Sequence, residues 1–308
     1  MTPETGINKP TLIDPRSVQM IHNRYKVGED LTPGEMMTIV HLLPTDTKIS
    51  FMKSYGQEMA GIWQKHIPGR MKIYEPLVEN LTEFRRDVVR AISPMPGDRV
   101  FDFGAGLCPL ATHIAERTNG AVSYLAIDSS QLARDASQPK LDSMVASKRL
   151  SEAQFLLHDY SRGMPDHLPV KDSGKWLGVS VFSASYFPAD TMVGVVDNFF
   201  RIGGDKFFVT SLDPKHFDPD EMLDEMLEIG KKKPREEQER LAGVIAMAQT
   251  NSEGRDFMRS FSAILKKYAP LRTPEEMNYY LSQVGNVQEK IVFGKGTGRT
   301  AGFLIVPK

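Results

Sequence analysis

The sequence has little of several features that would place it in a specialised class of protein. Cysteine occurs once in 308 residues, at Cys108, which excludes an internal disulfide and a zinc site built from several cysteines. The formal net charge is -1, so no overall field would draw the chain to nucleic acid or to an anionic membrane. No apolar run approaches the roughly 18 residues of a membrane span. The first residues also lack the layout of a signal peptide, so we expect a cytoplasmic protein without a membrane partner.

The overall composition is that of an ordinary globular protein. Hydrophobic residues make up 41% of the chain and charged residues 25%, enough to build a full core. Residues 1–30 are polar and expected to be loosely ordered. The segment Thr32 to Glu35 reads as a capping box with proline at the first helical position. Apolar stripes at helical spacing follow. Residues 31–96 are therefore predicted to form a helical cap.

From residue 97 the pattern changes to short apolar runs that alternate with helical segments, which is typical of βαβ units and a parallel sheet. The five runs in order are Arg99–Phe103, Ser123–Ile127, Ala153–Leu157, Trp176–Phe182 and Lys206–Thr210. Residues 214–270 are predicted to be a helical insertion, because a plain α/β unit needs only a short loop there.

The chain ends in two more apolar runs, Val287–Phe293 and Ala301–Val306, separated mainly by GKGTGRT. A parallel neighbour would need a crossover of about a dozen residues, whereas this glycine-rich connection is the size of a hairpin. The predicted fold is an α/β, doubly wound, mostly parallel seven-stranded sheet with an antiparallel C-terminal hairpin strand. It carries the helical N-terminal segment and the helical insertion after strand five, and the α/β domain spans 97–308.

A glycine loop follows the first predicted strand, in the sequence VFDFGAGLCPLA. Gly104 and Gly106 allow positive φ and close approach of a ligand to the backbone. Ligands bind at this edge of open α/β sheets, beside the free N–H groups of the next helix. Pro109 stands where dinucleotide-binding loops carry a third glycine, which disfavours a pyrophosphate site and an NAD-linked oxidoreductase.

Three carboxylates at the ends of successive strands indicate which ligand the loop holds. Asp102, just before the loop, is expected to point toward it and suits an ammonium group. Asp128, 22 residues beyond Gly106, is positioned for ribose hydroxyls. Asp159, after the third strand, could accept a hydrogen bond from an adenine amino group. An amino acid, a ribose and an adenine together describe S-adenosylmethionine.

With these motifs, residues 97–308 resemble the class I methyltransferases that use S-adenosylmethionine. The resemblance rests on DFGAG at 102–106, the acidic residue after strand two, HDY at 158–160, FSASYF at 182–187 and the terminal hairpin. It implies that the loop holds the methionine part, that Tyr160 contacts adenine and that Ser183 lines the site. The predicted cofactor-binding set is Asp102, Gly104, Ala105, Gly106, Asp128, Ser129, Asp159, Tyr160 and Ser183.

Two departures from the family pattern bear on the reaction. The loop spacing G-x-G-x-x-P-L resembles that of nicotianamine synthases, which transfer the aminocarboxypropyl group of the same cofactor. FSASYF also lacks the Asn/Asp-Pro-Pro-aromatic motif with which amino-directed methyltransferases hold a planar nitrogen. Aminocarboxypropyl transfer therefore stays open, and an exocyclic base amine is a poor candidate acceptor.

The predicted function is methyl transfer from S-adenosylmethionine to a small or medium organic acceptor, at an O, N or C atom that the sequence leaves open. The sequence is also compatible with an rRNA-directed methyltransferase and with a non-catalytic methyltransferase-like binding protein. It leaves the oligomeric state open, a homodimer included. A base is needed only if the acceptor must lose a proton, and His216 and Tyr186 are the first candidates. The histidines show no metal-binding spacing, so no metal is expected.

Overall fold

The structure is a computed structural model that describes residues 15–69, 83–160, 163–165, 167–171, 173–214, 224, 227–250, 253–268, 272–293 and 300–308. In the N-terminal part, helices α1 (Pro15–Lys26), α2 (Pro33–Thr38) and α3 (Thr45–Gly69) follow one another, with a short 3-10 turn at Val40–Leu42. The predicted capping box at Thr32 is confirmed. The Thr32 side chain accepts from the Glu35 N–H and the Glu35 side chain accepts from the Thr32 N–H.

The α/β part alternates strands and helices as the sequence predicts, except between β3 and β4, where the described residues contain no α-helix. Helix α4 (Phe84–Ile92) precedes β1 (Arg99–Phe103), α5 (Pro109–Thr118), β2 (Ser123–Asp128), α6 (Gln131–Ala146) and β3 (Glu152–Leu157). After these come β4 (Trp176–Ser180), α7 (Ala189–Arg201) and β5 (Lys206–Leu212). The later elements are α8 (Arg235–Thr250), α9 (Glu253–Tyr268), α10 (Pro274–Leu281), β6 (Asn286–Phe293) and β7 (Thr300–Val306).

In the described part of the chain, seven strands form one sheet in the order β3-β2-β1-β4-β5-β7-β6. Strands β1 to β5 pair in parallel, and β7 lies antiparallel between β5 and β6. The doubly wound sheet with an antiparallel C-terminal hairpin strand is therefore confirmed. The chain order reverses between β1 and β4, which is the switch point where open α/β sheets bind ligands at the carboxyl ends of their strands.

The two faces of the sheet are buried under different helices. One face packs on α4, α5 and α6, where Val89, Ile114 and Leu141 are each at most 1% exposed. The other face packs on α7 and α10 through residues such as Phe199 and Met277. Because both faces are covered, β1, β4 and β5 read as nearly continuous apolar runs rather than as alternating patterns.

Helix α4 lies in the layer that covers the sheet. The sequence predicts this helix as part of the 31–96 cap, yet Val88, Val89 and Ile92 belong to the core cluster formed with β1, β2 and α5. An amphipathic stripe reports which face of a helix is buried but not which partner covers it. Ser93, in the left-handed conformation with φ 47°, ends the helix before the turn into β1.

Helices from the N-terminal part and from the predicted insertion pack together in a cluster that we call the roof cluster. Its buried members are Met37, Tyr55, Met59, Tyr186, Leu212, Phe261, Ile264, Leu265 and Tyr268. They come from α2, α3 and α9, from the turn after β4 and from the last residue of β5. The cluster therefore lies at the carboxyl ends of β4 and β5, beside the switch point. Within the insertion, the sequence Asp-Pro-Asp-Glu at 218–221 predicts a helix start, and these residues lie outside the described ranges.

Candidate functional site

The glycine loop leaves β1 with the backbone that the sequence predicts. Gly104 and Gly106 have φ values of 73° and 52°, in the region that favours glycine. The N–H groups of Gly104 and Ala105 both donate to the carbonyl of Ile127, at 2.7 and 3.3 Å. These bonds fasten the start of the loop to the end of β2, so the loop is pre-formed at the edge of the sheet.

Asp128 joins the loop to the second strand. Its Oδ2 accepts from the Gly106 N–H at 2.9 Å, and its Oδ1 accepts from the Ser130 N–H at 2.9 Å. Asp128 is partly exposed, and Ser129 beside it is exposed. The helix cap of α6 comes from Ser130, whose hydroxyl accepts from the Ala133 N–H. Asp128 is thus held by backbone donors at the tip of β2, while a different residue caps the helix.

Asp102 lies behind the loop. Its side chain is buried, and Oδ2 accepts a hydrogen bond from the Tyr124 hydroxyl on the neighbouring strand. Burial raises the pKa of this carboxyl to about 7, because the charged form loses its hydration; the nearby Asp128 charge also raises it, while the Tyr124 hydrogen bond and the Arg85 charge lower it. The sequence predicts a carboxylate that points into the loop, whereas the partner observed is Tyr124, on the α5 and α6 side of the sheet.

Pro109 is the first residue of α5, a position where its missing N–H would have no helical partner anyway. Cys108 precedes it in the left-handed conformation with φ 51° and is fully buried. Burial raises the pKa of the Cys108 thiol to about 12, so the group stays protonated at neutral pH. Pro109 therefore begins the helix at a position that favours proline, and Cys108 packs in the core.

Two hydroxyl side chains lie directly over the first glycine of the loop. The Tyr160 hydroxyl and Ser183 Oγ share a hydrogen bond. A side chain built on Gly104 would overlap the Ser183 side chain and touch the Tyr160 hydroxyl, whereas one built on Gly106 would meet open space. Residues after β3 and after β4 therefore close the loop at Gly104 and leave it open at Gly106.

Two of the remaining predicted site residues, Asp159 and Tyr186, differ in exposure. Asp159 is partly exposed beside Tyr160, after β3. Tyr186 is 8% exposed and its ring packs edge-on against Phe261 in the roof cluster, at 5.3 Å between centroids. His216 lies outside the described residues. The structure thus brings the cofactor-binding candidates to one edge of the sheet, with Tyr186 in the packed cluster beside them.

Several residues that no sequence motif marks also shape this edge of the sheet. Ser180 donates to the Phe103 carbonyl at 3.0 Å and accepts from the Ala184 N–H at 2.8 Å. Phe182 adopts the left-handed conformation with φ 58°, and its N–H donates to Thr210 Oγ1. No local pattern marks a phenylalanine for positive φ, a strained state that persists where the surroundings impose it.

Two further kinds of feature are absent from the described residues. Among these residues, no group of three or more His, Cys, Asp or Glu side chains is arranged to hold a metal ion. Within the same ranges, no helix has the length and apolar character needed to cross a bilayer.

Neither a protein-family model nor a curated protein sequence matches the chain. Solved structures that are similar to it include a SAM dependent methyltransferase from Aquifex aeolicus, at 11% identity and a TM-score of 0.46, covering 81% of this chain and 98% of that one. Magnesium protoporphyrin IX methyltransferase (ChlM) from Synechocystis PCC 6803 with bound SAH has 12% identity and a TM-score of 0.46, covering 82% and 94%. The pyocyanin biosynthetic protein PhzM has 12% identity and a TM-score of 0.47, covering 91% and 74%. The identities and TM-scores of these matches are too low to assign the fold, which follows from the strand order and register described above.

Proposed function

We propose that this chain is an S-adenosylmethionine-dependent methyltransferase that acts on a small or medium organic acceptor. The observation that carries the proposal is the bond between Asp128 Oδ2 and the Gly106 N–H. It joins the glycine loop and the acidic tip of β2 into one site at the switch point of the sheet. That combination suits a ligand with an amino acid at one end and a ribose at the other.

The residues present fit that cofactor. Open space lies above Gly106, where a ligand can approach the backbone. The partly exposed Asp128 would receive the ribose hydroxyls, with Ser129 beside it. Asp159 and Tyr160 would face the adenine, and Ser183 the methionine part. The Asp128 carboxylate supplies negative charge at this edge, which favours a cationic ligand over a phosphate.

For this reaction, the main task of the protein is to position the cofactor and the acceptor. When bound, S-adenosylmethionine supplies a methyl group on a sulfonium that is already reactive. The chain's own residues fix the ligand at the loop, and the roof cluster beside the site would exclude water and orient an acceptor. Tyr186 and His216 remain the first residues to test as a base, which an acceptor that must lose a proton would need.

A different group could leave the same sulfonium. The G-x-G-x-x-P-L spacing of the loop is the specific feature that favours aminocarboxypropyl transfer as the second candidate. Mass analysis of a turnover mixture distinguishes the two reactions, because methyl transfer releases S-adenosylhomocysteine and aminocarboxypropyl transfer releases methylthioadenosine.

Calorimetric titration with S-adenosylmethionine, S-adenosylhomocysteine and NADH tests the cofactor assignment. We expect both sulfur nucleotides to bind and NADH not to bind. Asp128→Ala should weaken binding about 10- to 100-fold, since hydrogen bonds to a charged group contribute about 1.5–3 kcal/mol. The matched control is Asp135→Ala, which removes an exposed carboxylate from α6.

The outcomes separate the parts of the proposal. Wild-type protein that binds neither sulfur nucleotide would overturn the cofactor assignment. Equal affinities for wild type and Asp128→Ala would overturn the ribose role. Asp128→Asn keeps an acceptor for one backbone N–H, so it shows how much of the loss comes from the loop rather than from the missing carboxylate.

A further inference from the structure

The segment after β4 forms a single tight turn, residues 183–187, which we call the connector turn. The Tyr186 N–H donates to the Ser183 carbonyl at 3.0 Å, and the Phe187 N–H donates to the Ala184 carbonyl at 3.2 Å. These two bonds make a 3-10 turn over Ala184–Tyr186. The two bonds join the Ser183 end of the turn to its Tyr186 and Phe187 end, so the two ends are linked through the backbone.

The first end of the connector turn touches the candidate cofactor site. Ser183 shares a hydrogen bond with the Tyr160 hydroxyl, and its side chain occupies the space beside the Gly104 Cα. Phe182, just before the turn, stacks on Phe84 of α4, with 5.1 Å between ring centroids. A shift of the turn would therefore move groups that lie against the glycine loop.

The second end of the connector turn is held by two side chains from outside the parallel sheet. The Tyr55 hydroxyl, from α3, donates to the Tyr186 carbonyl at 2.7 Å. Arg272, just before α10, donates from Nη1 to the Phe187 carbonyl at 2.9 Å. Tyr55 is 2% exposed and Arg272 is 7% exposed, so both donor side chains are buried.

Burial keeps the Tyr55 hydroxyl in its donating state, and neighbouring groups hold Arg272 in place. Burial raises the pKa of Tyr55, which keeps its hydroxyl protonated, and the neighbouring Arg272 charge opposes this shift only in part. Arg272 lies over the ring of Tyr280 and near the charges of Glu276 and Asp190. Its side chain is thus anchored independently of the turn, as a positioning group needs to be.

We propose that Tyr55 and Arg272 are positioning residues that set the connector turn, and through it Ser183 and Tyr160, against the glycine loop. The inference rests on the proposed function and deepens it. The roof cluster contains Tyr55, so it is coupled to cofactor binding through the hydrogen bond from Tyr55 to the Tyr186 carbonyl. Coupling of this kind is reciprocal: fixing the turn favours the cofactor, and the bound cofactor protects the turn.

The test compares Tyr55→Phe with Tyr268→Phe in the full chain. Both substitutions remove one tyrosine hydroxyl from the roof cluster and keep the ring, and the two rings pack on each other at 4.9 Å. The Tyr268 hydroxyl donates to Glu58 of α3, not to the connector turn. We expect Tyr55→Phe to weaken S-adenosylhomocysteine binding about five-fold. Tyr268→Phe should change it less than about two-fold.

Hydrogen exchange gives a readout that needs no ligand. In the unliganded protein, Tyr55→Phe should speed exchange of the Tyr186 and Phe187 amides, which close the turn, while leaving the amides of β1 unchanged. Tyr268→Phe should leave the turn amides protected. Arg272→Lys, which keeps the charge but alters the donor geometry, is the second variant and should also expose the Phe187 amide.

The outcomes distinguish a failure of the positioning role from a failure of the proposed function. Unchanged affinity and unchanged turn exchange in Tyr55→Phe would overturn the positioning role. An equal loss of affinity in Tyr268→Phe would also overturn it, because general loosening of the roof cluster would then explain the result. Wild-type protein that binds no S-adenosylhomocysteine overturns the proposed function instead, and the exchange comparison then decides by itself whether Tyr55 fixes the turn.

Discussion

The two glycines of the loop, Gly104 and Gly106, have different roles in the structure. Both have positive φ, which costs an L-residue about 1–2 kcal/mol. Gly104 is also required by space, because Ser183 occupies the position of its missing side chain. Gly106 faces open space and offers its N–H to Asp128. One glycine therefore closes the loop against the protein, and the other leaves room for a ligand.

Alanine at each glycine should separate these roles. Gly104→Ala should lower the free energy of unfolding by about 2–5 kcal/mol, combining the φ cost with overlap. Gly106→Ala should lower it by about 1–2 kcal/mol, from φ alone. Urea denaturation measures both. Ser183→Gly should recover part of the Gly104→Ala loss, because it removes the overlapping atoms, and should do nothing for Gly106→Ala. Equal losses at the two glycines would contradict the assignment.

At the scale of elements, helix α4 shows how a helix that precedes the sheet in sequence becomes part of its packing. Val88, Val89 and Ile92 are each at most 1% exposed and lie in the cluster with β1 and α5. The exposed side of the same helix carries Arg86 and Arg90, in ion pairs within one turn. The helix is thus fixed to the sheet by its apolar side, and its exposed charges add little stability.

This arrangement predicts a large difference between the two sides of α4. Ile92→Ala should lower the free energy of unfolding by about 2–5 kcal/mol through lost burial and an unfilled cavity. Arg86→Ala, on the exposed side, should change it by less than about 0.5 kcal/mol. Thermal and urea unfolding of the two variants measure the difference. A small effect of Ile92→Ala would show that α4 is not part of the cooperative core.

At the scale of the whole molecule, the buried carboxyl of Asp102 links stability to pH. Its pKa is raised to about 7 in the folded chain, above the ordinary value of 3.8. At a pH below the ordinary pKa, the carboxyl is neutral in both the folded and the unfolded chain, and its contribution to stability is fully present. As pH rises toward 7 the unfolded chain releases the proton while the folded chain keeps it, so stability falls by up to about 1.4 kcal/mol per pH unit.

Asp102→Asn should remove that dependence. The amide cannot ionise, and its oxygen can still accept from the Tyr124 hydroxyl. The stability of wild type relative to Asp102→Asn is therefore expected to decrease between about pH 4 and pH 7 and then level off. Urea denaturation across this range gives the free energy of unfolding of each protein at each pH. Subtracting one curve from the other removes the contribution of the carboxyls that both proteins share. Parallel curves for the two proteins would show that Asp102 titrates normally.

Much of the fold and part of the site could be predicted because the signals are local. The sequence Thr-Pro-x-Glu occurs at Thr32 and again at Thr273, where it predicts a capping box from four residues alone, and both capping boxes are formed. The glycines at 104 and 106 mark the positive φ of the loop. The left-handed Phe182 and the inward-facing Asp102 could not be predicted, since each depends on neighbours far along the chain.

The sequence by itself determined the order of helices and strands, the parallel sheet with its terminal hairpin, and the place of the glycine loop. Periodicity and turn residues encode these features within short windows. Only the tertiary structure decided that α4 packs on the sheet and that Ser183 closes Gly104. It also decided that Tyr55 reaches a carbonyl 131 positions away. Contacts of that span arise only when the whole core assembles, because no local pattern records which distant residue will be the partner.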